Sequence, residues 1–194
     1  MRKEKVSLEG ADLSGAILKG AKLENAILKG ANLSSAILGN AILDQADLEG
    51  ANLKKANLYN ADLRHADLSG ANLEDANLEK AILCEAKLQG ADLQGVDLSR
   101  AYLKDADLEG ANLKGANLYN ADLRHADLRH ADLSGANLED ANLEKAILCG
   151  ASLEGADLSG ANLKQVELNY ARVCKENFNY LIQEGINRDI LILV

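Results

Sequence analysis

Hydrophobic and polar positions along this chain recur with one spacing. Every fifth residue from Leu8 to Leu168 is Leu, 33 in succession, and Val173 and Phe178 follow in the same phase. Two residues before each of these Leu residues stands Ala, replaced only at Val6, Val96 and Val166. Across the 34 uninterrupted pentads from Val6 to Lys175, the residue between the two is Asp 11 times and Asn 10 times. The unit is Ala-(Asp/Asn)-Leu-X-X.

A period of five fits neither regular element. On an α-helix, at about 100° per residue, successive Leu side chains step by about 140° and spread round the whole circumference, so no apolar stripe forms. On a flat strand an odd period sends alternate Leu side chains to opposite faces. The chain must instead turn once per pentad, each short extended piece pointing its Leu and Ala inward while stacked turns bury a continuous core.

The glycines indicate how many pentads close one turn. Gly ends 14 of the 34 pentads, at the place where a tight turn calls for positive φ. Sorted by pentad number modulo four, these glycines fall into classes of seven, five, two and none; modulo three they are flat at four, five and five. The expected coil therefore has four sides and 20 residues. The run "ADLSGANLEDANLEKAIL", at 66–83 and again at 131–148, closely resembles the pentapeptide-repeat proteins, and the resemblance spans 6–175. It implies an all-β solenoid, a right-handed quadrilateral parallel β-helix. At four pentads per coil the chain makes about 8.5 coils, a rod of roughly 40 Å at ~4.8 Å per layer.

A duplication lies within the array. "ANLYNADLRHAD" at 56–67 returns at 116–127, whereas the segment 66–84 returns at 131–149, one inserted pentad later. An offset of 60 preserves the side of the coil and an offset of 65 moves everything downstream to the next side. A fold that tolerates this guards no fixed constellation there. Outside the array, residues 1–5 form a short basic stub. After Lys175 the pattern stops, and residues 176–194 predict a cap: a helix from about Asn179 to Glu184 closed by Gly185, then a strand over Asp189–Val194. The apolar tail Ile190, Leu191, Ile192, Leu193 and Val194 is also the candidate surface for a homodimer.

Composition narrows the function. The chain has no Pro, Trp or Thr and six aromatic residues, and its 21 basic against 30 acidic side chains leave a formal −9. That excludes an aromatic core and a basic, base-stacking nucleic-acid binder, and the missing Thr removes the regular arrays of ice-binding solenoids. The charged Met1–Lys5 start and the lack of long apolar runs predict no leader and no membrane span. Three cysteines without CxxC spacing predict free thiols in a reducing, cytoplasmic setting. His65, His125 and His130 each end a pentad; the first two share a side but lie three coils apart, too far to hold one metal ion. Cys84, Cys149 and Cys174 fall on three different sides. No nucleophile elbow and no phosphate-binding glycine loop occurs, so neither an enzyme nor a cofactor is expected.

What remains is the charge on each side of the coil. The side centred on Leu48, Leu68, Leu108 and Leu128 carries −5, the others −1, −2 and −1. Its column of residues before the centre includes Asp47, Asp67, Asp107, Asp127 and Glu167, interrupted by Lys87 and Ile147, and Gly ends seven of its pentads. One reading makes this an interaction face. Because some pentapeptide-repeat proteins mimic DNA toward DNA gyrase, the resemblance implies an acidic DNA-mimic modulator as the alternative function. The other reading is local: Asp and Asn precede Leu because their short side chains hydrogen-bond the backbone of each turn. Counting favours the second, leaving as the first expectation a non-enzymatic structural or protein-binding solenoid whose partner the sequence does not name.

Overall fold

The computed structural model describes residues 5–194. From Ser7 to Ser152 the second residue of each pentad pairs in parallel with the residue twenty positions later, four pentads on: Asp47 with Asp67, Asn52 with Asn72, Asn57 with Asn77, Asp62 with Ile82. The extended piece of a pentad is so short that pairing is a single bridge rather than a strand. Three strands do form near the C-terminal end: β1 (Ser152–Leu153), β2 (Ala171–Val173) and β3 (Leu191–Leu193), in one parallel sheet in that order.

Each pentad divides its backbone hydrogen bonds between its neighbours. Asp47 donates its N–H to the carbonyl of Ala26 and accepts from the N–H of Leu28, both one coil back. Leu48 and Gly50 donate forward to the carbonyls of Asp67 and Ser69, at 2.7 and 3.0 Å. The N–H of Ala51 returns to the carbonyl of Leu48 at 2.9 Å and closes the turn. Backbone polar groups are thereby satisfied around a wholly apolar interior.

That interior is the Leu and Ala of the pentads: from Ala26 to Leu153 every one is at most 1% exposed. Full burial of a Leu side chain contributes about 1.5–3 kcal/mol. The Ala position stays small because the tube leaves no space for a second large side chain on each side.

The corner at the end of each pentad from Gly10 to Tyr170 takes positive φ whatever the residue. Nineteen non-glycine residues, from Asn25 (61°) to Tyr170 (61°), share the left-handed conformation of the glycines. At Gly110 a Cβ would meet nothing within 4 Å, so glycine is favoured there by its backbone freedom rather than by lack of space.

The cap differs from its sequence expectation. Helix α1 runs over Lys175–Gln183, beginning four residues before Asn179. Cys174 is its extended N-cap, so the helix begins on the final residue of the last pentad with no linker. Its C-terminus is where Gly185 places it. With Gly185 at φ 87°, its N–H reaches the carbonyl of Ile182 at 3.1 Å and the N–H of Ile186 reaches Leu181 at 2.9 Å, a Schellman closure. Leu181 is fully buried, and the buried Asn177 donates to the carbonyls of Leu153 and Ala156 at 3.1 and 2.8 Å. The expected strand over Asp189–Val194 is shorter, since Arg188–Ile190 forms a 3-10 turn before β3. Of the basic stub, only Lys5 lies within the described residues.

Candidate functional site

The twenty-residue pairing sets the acidic residues in one column: Ser7, Ile27, Asp47, Asp67, Lys87, Asp107, Asp127, Ile147 and Glu167 are bridged in succession. Asp47, Asp67, Asp107 and Asp127 are half-buried at its centre, and Glu167 lies exposed near its end.

Each of the four aspartates uses one carboxylate oxygen locally. Oδ1 of Asp47, Asp67, Asp107 and Asp127 accepts the N–H of Glu49, Ser69, Glu109 and Arg129 at 3.1–3.2 Å. The same bond recurs at all 11 Asp and all 10 Asn in the second position of a pentad. The aspartates therefore stand in the column for a turn-forming reason before any partner is considered.

The second carboxylate oxygens of Asp67, Asp107 and Asp127 are also engaged. Lys87 lies 3.4 Å from Oδ2 of Asp67. Gln89 donates to Oδ2 of Asp107 and accepts from the Ser69 hydroxyl at 3.0 Å. Arg129 pairs with Asp127 at 2.6 Å and reaches Glu109 one coil back at 2.9 Å. Partial burial would raise the carboxyl pKa of Asp67 and Asp127, yet both lie below their ordinary value because hydrogen bonds from Ser69 and Arg129 and the charges of Lys87 and Arg129 outweigh it. Asp107, Glu109 and Asp127 bring oxygens within 4.8 Å of one another. The guanidinium of Arg129 already bridges two of these three groups.

The sequence reasoning missed Arg129, and with it Arg64 and Arg124. All three follow an Asp by two residues in the pentad "ADLRH", so each guanidinium folds back on its own Asp, with contacts of 2.6 Å for Asp62–Arg64 and Asp122–Arg124. Summing charge by side counted these ions without seeing that they pair within one pentad.

The other candidates stay separate. His65 approaches Glu85 at 3.5 Å, and the three cysteines are free and half-buried. Burial raises the Cys84 thiol above its ordinary pKa, which lowers its reactivity at neutral pH. In the tail, Ile190 and Leu191 are partly buried, whereas Ile192, Leu193 and Val194 are 43–54% exposed. Among the described residues no helix is long and apolar enough to cross a membrane.

The pentapeptide repeat family profile, with eight copies, matches residues 7–45, 31–70, 61–100, 101–140 and 136–171. No curated protein matches the chain. Among solved structures, HetL, a pentapeptide repeat protein involved in heterocyst differentiation regulation from the cyanobacterium Nostoc sp. strain PCC 7120, is 38% identical over 86% of this chain and 89% of its own, with a TM-score of 0.41. Full-length QnrB1, a plasmid-mediated fluoroquinolone resistance protein, is 20% identical over 93% of this chain and 98% of its own, with a TM-score of 0.70. The second likeness bears on the fold alone, a right-handed β-helix solenoid. With the profile spanning nearly the whole repeat array, the chain belongs to the pentapeptide repeat family.

Proposed function

We propose that this protein is a non-catalytic, protein-binding solenoid: a four-sided rod of about 8.5 coils, roughly 40 Å long, that presents side chains in columns to a protein partner. The observation carrying this reading is the twenty-residue pairing, which holds chemically distinct columns at a fixed layer spacing over a core with no exposed Leu or Ala between residues 26 and 153. Binding surface is what such an object offers: its recesses are open grooves between columns, one of them lined by Arg100, Tyr102, Asp122, Arg124 and Asn142.

The acidic DNA-mimic reading has the −5 side in its favour. Lys87 and Arg129 interrupt that side and pair with its carboxylates, which argues against a continuous phosphate-like track. The two readings separate in one experiment. Capture from native lysate by the full chain, repeated with Asp47→Lys and Asp107→Lys, is expected to recover a protein partner by a surface of this rod. A supercoiling assay in which the wild-type chain inhibits a type II topoisomerase and the Lys variants do not would instead establish the mimic.

A further inference from the structure

The duplicated segment gives the rod two versions of one groove. Asn60, Asp62 and Arg64 recur sixty residues on as Asn120, Asp122 and Arg124, and the bridged column Ile42, Asp62, Ile82, Tyr102, Asp122 sets both on the same side, three layers apart. In each, the guanidinium lies back on its own Asp at 2.6 Å, so the two charges cancel. The frame is shared and its border is not. Asn40, Ile42 and Ile82 flank the first groove; Arg100, Tyr102 and Asn142, their counterparts sixty residues later, flank the second.

These three exchanges change what the groove can hold. In the first, the Asn60 amide donates to Oδ1 of Asn40 at 2.8 Å, and the half-buried Ile42 and Ile82 bring no polar group. In the second, Arg100 stands at the place of Asn40 and offers no acceptor, so the exposed Asn120 amide has no partner among the described residues. Arg100 is itself exposed and makes no ion pair among them; its corner neighbours one layer away are Lys80 and Asn120, neither an acid. Asn142 accepts from the N–H of Glu144 and the amide of Asn162 through Oδ1, which leaves its own amide hydrogens undonated. The Tyr102 hydroxyl likewise meets no partner among the described residues, and the residue is 51% exposed. Four donors without acceptors thus border a recess whose one carboxylate, Asp122, is already held by Arg124.

Donors in that arrangement suit the oxygens of an anion, and a guanidinium takes a carboxylate through two parallel bonds. Asp122 within the recess and the formal −9 of the chain both oppose a doubly charged phosphate or a run of acids, which favours a single carboxylate. Beside the cation, Tyr102 and the half-buried Ile82, bridged to it from the next layer, form an apolar shelf. Tyr and Arg are also the residue types that carry most binding energy at protein interfaces.

We propose that the groove of Arg100, Tyr102, Asn120 and Asn142 docks a segment of a protein partner in which one Asp or Glu carboxylate is held by Arg100 and the two amides while a neighbouring apolar side chain lies on Tyr102. The inference rests on the protein-binding reading and gives the partner its chemistry.

The probe is the capped peptide acetyl-Leu-Glu-Leu-amide, titrated into the isotope-labelled full chain and followed by NMR. It is expected to shift the Arg100 guanidinium and the Asn120 and Asn142 side-chain amide signals and to leave the Asn60 amide unmoved. Gln in place of Glu in the peptide, or Arg100→Asn in the chain, weakens binding at least about tenfold. Arg100→Asn is compatible with the fold, because Asn40 holds the same corner at the same φ of 57° and pairs with Asn60. Conversely, Asn40→Arg with Ile42→Tyr is expected to confer binding on the first groove, now shifting the Asn60 amide. Absence of any shift, equal shifts at Asn60 in the wild type, binding indifferent to Arg100→Asn or to the Gln peptide, or tighter binding of inorganic phosphate would each overturn the proposal. Capture from native lysate separates it from the broader reading: a protein partner recovered equally by the Arg100→Asn chain overturns this groove alone, whereas a wild-type chain that recovers no protein overturns both.

Discussion

At the scale of the residue, each position of the pentad has a distinct physical task. The centre fills the tube, so Leu98→Ala, at a fully buried site, is expected to cost about 2–5 kcal/mol in urea unfolding through the cavity it leaves. The last position sets the corner. Lys55 holds φ 58° on an exposed corner and makes no ion pair among the described residues, so Lys55→Gly is expected to stabilise by about 0.5–1 kcal/mol as left-handed strain is relieved against a smaller entropic penalty. The second position ties the turn, a task Asn and Asp share. The carboxyls of Asp62 and Asp122 lie below their ordinary value, chiefly through the hydrogen bond from Arg64 or Arg124, with partial burial opposing. The folded state therefore prefers the ionised form more strongly than the unfolded chain does. That stabilisation is complete above the unfolded carboxyl range near pH ~4 and is lost as pH falls through the lowered folded values. Thermal midpoints are expected to drop in acid. Asp62→Asn with Asp122→Asn should keep the turns, stay within about 1 kcal/mol per site at neutral pH, and flatten the acid arm of the profile.

At the scale of the element, the cap shows where sequence patterns stop informing. Gly185 was readable as a helix end because only a left-handed residue closes a Schellman motif cheaply. The start at Lys175 was not, because a five-residue rhythm that continues through Val173 and Phe178 masks the switch to helical spacing. Asn177 gave no local signal either: its partners, Leu153 and Ala156, lie 24 and 21 residues earlier and become neighbours only after a coil has closed. Asn177→Ala takes the donor from the buried carbonyl of Ala156 and leaves that of Leu153 with only the turn N–H of Ala156, and is expected to cost about 1–3 kcal/mol. Hydrogen exchange should show this as loosening that begins in α1 and the coil beneath it; equal loosening along the whole rod would contradict the assignment.

At the scale of the molecule, the arrangement of columns was legible and their chemistry less so. Seven of the 14 corner glycines falling in one class modulo four pointed to the twenty-residue offset at which Asp47 pairs with Asp67. Charge sums could not reveal that Arg129 spans Asp127 and Glu109, because that contact depends on which side chains reach across one layer. Removing residues 96–115 takes out one whole offset, so it is expected to leave a cooperatively folding chain, shorter by ~5 Å in small-angle scattering, with α1 still seated. The same offset makes the surface addressable. A residue's number divided by twenty gives its height and the remainder gives its column, so a chemical group can be moved ~4.8 Å along the axis, without changing direction, by rewriting the sequence twenty places away. Few folds convert text to position so linearly, and the pentad inserted before Ala131 shows that conversion in use: it carried the motif at Asp67 around the axis to Asp132 while leaving the core in register.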